Sequence, residues 1–171
     1  IEFTIEDNKL WMLQTRSAKR NGIASIKVAL DMYREKLISD QKALMRVNAL
    51  QINETMLPTI KDLDDIDCSV EAVGLPAGPG AAHGKIALSA DRAEEEKGDG
   101  NMVVLVRHET SPEDIHGMHA SEGILTSMGG MTSHAALVAR GWGKCCIVGC
   151  SDISINYDNK KIKINGKIYN E

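Results

Sequence analysis

The chain has 171 residues, 43% of them hydrophobic and 26% charged, enough for one well-formed core with some chain to spare. A net charge of −4 argues against a nucleic-acid or acidic-membrane partner, and no apolar run approaches the roughly 20 residues of a membrane span. The opening Ile1–Leu10 carries no secretory signal, lacks an initiator methionine and starts inside a strand-like pattern. The chain is therefore expected to be a piece of a longer cytoplasmic protein, with organelle targeting by the missing termini left open.

Residues 1–16 read as two strands. Ile1, Phe3 and Ile5 alternate with Glu2, Thr4 and Glu6, Asp7-Asn8 is a turn signal, and Lys9–Leu13 resumes extended structure. Two strands alone bury too little to be stable, so this zone is expected to close a domain lying mostly outside the chain. Residues 17–67 read as a helical linker. Ile23, Ile26, Leu30, Tyr33 and Leu37 recur at helical spacing. Ser39 is expected to cap a second helix whose apolar stripe is Leu44, Val47 and Leu50, ending before Pro58. The acidic run Asp62–Asp67 reads as a solvated joint.

Residues 68–171 are expected to form a domain of their own. Gly74, Pro76, Gly78, Pro79 and Gly80 read as a loop. His83–Leu88 reads as a strand, Ser89–Lys97 as a short charged helix, and Met102–Val106 as a buried strand. Ser111-Pro112-Glu113-Asp114 is a helix start: a cap, a proline at the first position and acids in the first turn. Gly123–Thr126 is another short strand. Ile162 and Ile164, then Asn165-Gly166, then Ile168 predict a hairpin with a two-residue turn. Mixed sheets with a few helices packed on them, an α+β class, are expected.

Cys145, Cys146 and Cys150 crowd together without the paired spacing of a zinc site, and with Cys68 they read as reduced thiols. His116 and His119 stand three apart and could share a metal on a helix. Two solvated or capping histidines are the plainer reading.

The stretch Ser127–Arg140 carries the chemistry. A strand runs into Gly129-Gly130, then a Thr132-Ser133 pair suited to capping, then a series of helix formers starting at His134. Unpaired N–H groups and the positive end of a helix dipole would face an incoming anion there, and the glycines let backbone approach it. Thr132 and Ser133 offer hydroxyls, and Arg140 offers a bidentate fork if it folds back. The same positive potential favours the neutral, nucleophilic imidazole of His134. Ala135 and Ala136 would leave the face of the ring uncrowded. From spacing alone, His134 could equally do no more than help cap its helix.

Gly129-Gly130-Met131-Thr132-Ser133-His134-Ala135-Ala136-Leu137-Val138-Ala139-Arg140 resembles the phosphohistidine signature of the phosphoenolpyruvate-utilising enzymes. Neighbouring residues resemble the dikinase branch of that family: Glu109–Asp114, Gly117–Ala120, Arg140–Cys146 and Gly149-Cys150. Glu2-Phe3 and Leu13–Arg16 look like the closing strands of the dikinases' ATP-grasp nucleotide domain. The resemblance implies a swivelling β/β/α phosphohistidine domain at 68–171, preceded by the linker at 17–67 and a remnant ATP-grasp hairpin at 1–16. His134 would be the nucleophile, taking a pyrophosphoryl group from ATP, losing the outer phosphoryl to phosphate, and passing the rest to pyruvate. Thr132, Ser133 and Arg140 would support it, and Glu2, Gln14 and Arg16 would be nucleotide-binding residues stranded from their site. Mg²⁺ would be held with substrates by the partner domains, an N-terminal ATP-grasp domain and a C-terminal pyruvate-binding barrel, in a homodimeric parent. Thr132 would be a regulatory position, as in the related plant enzymes. A carrier of the synthase or sugar-phosphotransferase branches, and a non-catalytic module that kept the signature, are the alternatives. His108 and His116 depart from the family pattern, outside the signature.

Overall fold

The computed structural model of the chain describes residues 1–17, 20–60 and 69–171. The backbone divides into two compact units, Ile1–Met56 and Leu57–Glu171.

In the first unit, β1 (Glu2–Glu6) and β2 (Lys9–Gln14) pair antiparallel with Glu6 opposite Lys9. Asp7 and Asn8 make the turn at φ of 51° and 61°, a region their short polar side chains tolerate. Helix α1 (Gly22–Arg34) starts at Asn21, whose side chain accepts the Ala24 N–H at 2.9 Å. Helix α2 (Asp40–Met45) starts at the expected cap, Ser39. The single stripe expected through Leu44, Val47 and Leu50 is broken, because α2 stops at Met45 and α3 (Ala49–Thr55) begins anew. Asn48 is the cause. Its side chain accepts the Leu50 N–H at 2.6 Å while its own N–H donates to the Gln51 side chain at 3.2 Å. That reciprocal cap gives the backbone an alternative to continuing the helix. Gln51 also donates to Ser25 Oγ at 2.8 Å, tying α3 to α1. The acidic run, Cys68 and the expected boundary at 67/68 lie outside the described residues.

The second unit runs β3 (Leu75–Gly78), β4 (Lys85–Ala87), α4 (Ala90–Gly98), β5 (Val103–Arg107), a 3-10 turn (Pro112–Asp114) into α5 (Ile115–Ala120), β6 (Gly123–Thr126), α6 (His134–Trp142), β7 (Cys145–Val148), β8 (Ile153–Asn156), β9 (Lys161–Ile164) and β10 (Lys167–Asn170). One mixed sheet has the order β3-β7-β6-β5-β4, with β4 to β7 parallel and β3 antiparallel along β7. A second, antiparallel sheet has the order β10-β9-β8. Side chains alternate across β5. Val103 and Leu105 join Met118, Ala135, Ala136 and Ala139 from the helices, whereas Val106 joins Ile153, Ile155 and Ile162 of the small sheet. Helices thus cover one face of the mixed sheet and the three-stranded sheet covers the other. The chain is α+β, as expected.

The expected loop at Gly74–Gly80 contains a strand instead. Pro76 is tolerated because β3 lies at the sheet edge, where a missing N–H leaves no inner ladder broken. A Cβ on Gly78 would come within 2.0 Å of the Lys144 carbonyl, so glycine there permits the close approach of β3 to β7. Strands β7 and β8 form in stretches where the sequence pattern predicts none. The C-terminal hairpin forms as predicted, Ile164 opposite Lys167, with Asn165 and Gly166 at φ of 47° and 82°.

Candidate phosphoryl-transfer site

Helix α6 begins at the turn that follows β6. After Thr126, the Ser127 N–H donates to the Arg107 carbonyl at 3.0 Å and the Met128 N–H to that of His108 at 2.9 Å. The chain so keeps its pairing beyond the ends of β5 and β6 before it turns. Gly129 turns it at φ 95°, where a Cβ would lie 3.1 Å from that of Ser133. Ser133 is extended, and its Oγ caps α6 by accepting the Ala136 N–H at 3.4 Å. His134 is therefore the first residue of the helix, where the leading N–H groups have no intrahelical acceptor.

The structure brings four of the expected residues to this turn. His134 is half-buried, and its Nε2 is buried without a hydrogen-bond partner. Ser133 is the cap, and Thr132 is exposed beside it. Arg140 does fold back: its Nη2 donates to the Met131 carbonyl at 3.2 Å, placing the guanidinium against the loop. Two expectations change. Ala135 and Ala136 are buried in the core under α6, so their small size serves the close seating of the helix on the sheet. The imidazole is also less open than expected, with Nε2 covered.

Glu2, Gln14 and Arg16 lie apart from this turn in sequence and belong to the first unit. The hairpin register sets Glu2 opposite Gln14, and Arg16 Nε donates to Gln14 Oε1 at 3.2 Å. All three are exposed.

The remaining histidines separate. His116 Nε2 pairs with Asp91 at 2.9 Å, while the His119 ring sits edge-on to Trp142 at 5.4 Å, so each ring engages a different neighbour. His108 Nδ1 is 2.8 Å from Ser127 Oγ, and its N–H donates to the Tyr157 hydroxyl at 2.9 Å. Its support for the strand leading into the turn was not visible in sequence, because its partners are 19 and 49 residues away. Burial pushes the Cys146 thiol up to about 12 and raises those of Cys145 and Cys150, which keeps all three protonated. Among the described residues, no group of three or more His, Cys, Asp or Glu side chains is placed to hold a metal ion.

Residues 100–168, which include the whole turn and α6, match the family described as PEP-utilising enzyme, mobile domain. This segment belongs to that family. The mobile domain lies within a chain that matches, along its entire length, one region of much longer proteins. The chain is 49% identical over 171 residues to "Pyruvate, phosphate dikinase, chloroplastic" of Flaveria trinervia, covering all of this chain and 18% of that protein. It is 48% identical over 171 residues to "Pyruvate, phosphate dikinase 2" of Zea mays, covering 19% of it. It is likewise 48% identical to "Pyruvate, phosphate dikinase 1, chloroplastic" of Arabidopsis thaliana, covering 18%. The chain thus spans under a fifth of the length of these relatives and is homologous to a region of pyruvate, phosphate dikinase. Among the described residues, no helix is long and apolar enough to cross a membrane.

Proposed function

We propose that this chain is the carrier segment of a pyruvate, phosphate dikinase, and that His134 carries the phosphoryl group between two active sites of the longer protein. The observation that supports this most is the setting of His134. It opens α6 at the turn within the mobile-domain segment, and its Nε2 is committed to no hydrogen bond. An uncommitted ring nitrogen can act as a nucleophile, and its burial shields it from water until the ring turns outward at a docked active site.

The imidazole nitrogen would attack ATP, forming an N–P bond as the P–O bond to AMP breaks. Inorganic phosphate would then take the outer phosphoryl group and leave as pyrophosphate. Finally the enolate oxygen of pyruvate would attack the remaining phosphoryl group, releasing phosphoenolpyruvate and the free imidazole. The N–H groups opening α6, the Ser133 and Thr132 hydroxyls and the Arg140 guanidinium would meet the anionic group. Mg²⁺, when bound with substrates on the partner domains, supplies charge neutralisation. The described residues of this chain contribute no cluster for it.

In this reading 68–171 swings between an N-terminal ATP-grasp domain and a C-terminal pyruvate-binding barrel, and 17–67 tethers it. Glu2, Gln14 and Arg16 would contribute to the nucleotide site of that ATP-grasp domain. We infer a homodimeric, cytoplasmic parent. The plastid names belong to the relatives that carry them.

The test is mass spectrometry of the full-length protein after treatment with ATP, Mg²⁺ and phosphate, read at neutral to alkaline pH. The expected result is phosphate on His134 and phosphate-dependent release of pyrophosphate. A label without phosphate consumption would move the assignment to another branch of the family. Absence of phosphohistidine would favour a non-catalytic module.

A further inference from the structure

We propose that Thr126 and Gly149 are positioning residues for His134, acting through the backbone of the turn between them; this rests on the carrier reading. The turn from Met128 to Gly130 offers no side chain that could anchor it, apart from an exposed methionine. Its shape is therefore set by what holds its peptide groups. Two groups converge on the Met128 carbonyl. The Thr126 hydroxyl donates to it at 2.7 Å, and the Gly149 N–H donates to it at 3.3 Å. Thr126 is 1% exposed, so this hydroxyl has little water to turn to. The segment after β7 grips the same place once more, the Cys150 N–H donating to the Thr126 carbonyl at 2.9 Å.

Gly149 also holds the next peptide by contact. At φ 65°, a Cβ on it would lie 2.7 Å from the Gly129 carbonyl oxygen, backbone against backbone. A side chain there must push the Gly129 peptide away. One residue further on, the Gly130 carbonyl accepts the Ser133 N–H at 2.9 Å, and Ser133 caps the helix that His134 opens. A shift at Gly129 is thus passed along the backbone through Gly130 to the cap of the helix that His134 opens. Phosphoryl transfer is sensitive to such shifts, since misplacement by about 1 Å can cost about a hundredfold in rate.

The experiment uses the full-length protein and measures single-turnover labelling of His134 from ATP, Mg²⁺ and phosphate, and separately pyruvate conversion. Thr126→Val removes the hydroxyl at nearly constant shape, and Thr126→Ser restores it. Gly149→Ala is compared with Gly143→Ala, which carries the same backbone strain at φ 66° but meets nothing within 4 Å. Thr126→Val and Gly149→Ala are expected to slow both half-reactions about ten- to a hundredfold, with KM for ATP and pyruvate unchanged. Thr126→Ser and Gly143→Ala should stay near the starting rate. Should Gly149→Ala fail to fold, the Val and Ser pair decides. The inference is overturned if Thr126→Val labels at the normal rate, or if Thr126→Ser is as slow as Thr126→Val, or if folded Gly149→Ala is no slower than Gly143→Ala. His134→Asn is run in parallel: label persisting in it would sink the carrier reading itself, whatever the other variants do.

Discussion

Arg140 donates from Nη2 to the carbonyl of Met131, nine residues earlier and on the far side of the helix cap. This hydrogen bond parks a permanent positive charge against the loop that precedes His134, yet it is a bond to an exposed residue and easily exchanged for one to an anion. Arg140→Lys keeps the charge but loses the planar fork, and is expected to lower the single-turnover rate about tenfold. Arg140→Ala should cost about a hundredfold or more, the size seen when one donor to a developing anion is removed. Because the side chain is exposed, thermal stability should change by no more than about 0.5 kcal/mol in either variant. Unchanged rates in the Ala variant would leave Arg140 a loop tether only.

His134→Asn is expected to abolish both half-reactions while the protein stays folded. One imidazole is proposed to carry the group through both, and asparagine fits the half-buried site without supplying a nucleophile. Circular dichroism and the two separate assays check this. Retained conversion of pyruvate to phosphoenolpyruvate would be incompatible with the carrier role.

Thr132 is exposed two residues before His134, so it is open to a modifying enzyme. A phosphate there would add nearly two negative charges beside the incoming phosphoryl group. Thr132→Asp should therefore inhibit sharply and Thr132→Ser mildly, in the same single-turnover assay. Full activity in the Asp variant would dispose of a control role.

Glu96 gives a prediction for acid stability. It is buried on α4 and takes hydrogen bonds from Lys85 at 2.8 Å and Asn101 at 2.6 Å, with Arg92 paired to its other oxygen. The Lys85 hydrogen bond, opposed by burial and helped by the Arg92 charge, holds its carboxyl below the ordinary 4.5. A carboxyl depressed in the folded state stabilises above its unfolded value, and that contribution is lost as pH falls through the folded value. The thermal midpoint should therefore fall as pH drops below the ordinary 4.5. Glu96→Gln should be less stable near neutrality and flatter over the acid range. Parallel curves for the two proteins would show that Glu96 is not a source of acid sensitivity.

The chain alone should show no ATP-dependent labelling of His134. Phosphoryl transfer depends on positioning and charge neutralisation, which we assign to partner domains. A separately expressed nucleotide domain should restore little labelling, and a covalent link much more, because the tether raises the effective concentration. Stoichiometric labelling of the isolated chain would show that its own residues form a donor site.

What the sequence determined by itself was local. Asp7-Asn8, Ser39, Ser89, Asn165-Gly166 and the run from Gly129 to Arg140 each specify their structure within a few residues, through turn geometry or a cap. The resemblance in that last run was legible for the same reason, since the signature is contiguous. Tertiary structure decided the rest. Pro76 and Gly78 read as loop and form an edge strand, because the partner that makes β3 a strand is β7, some 70 residues on. Ala135 and Ala136 looked like open space around a nucleophile and are instead the floor on which α6 sits, a choice made by the sheet beneath them. The grip of Thr126 and Gly149 on the Met128 carbonyl appears only when β6 and the end of β7 are brought together, and the burial of His134 Nε2 likewise appears only in the folded chain. A backbone carbonyl has no letter in the sequence, so the groups that aim the imidazole become visible only in the folded chain.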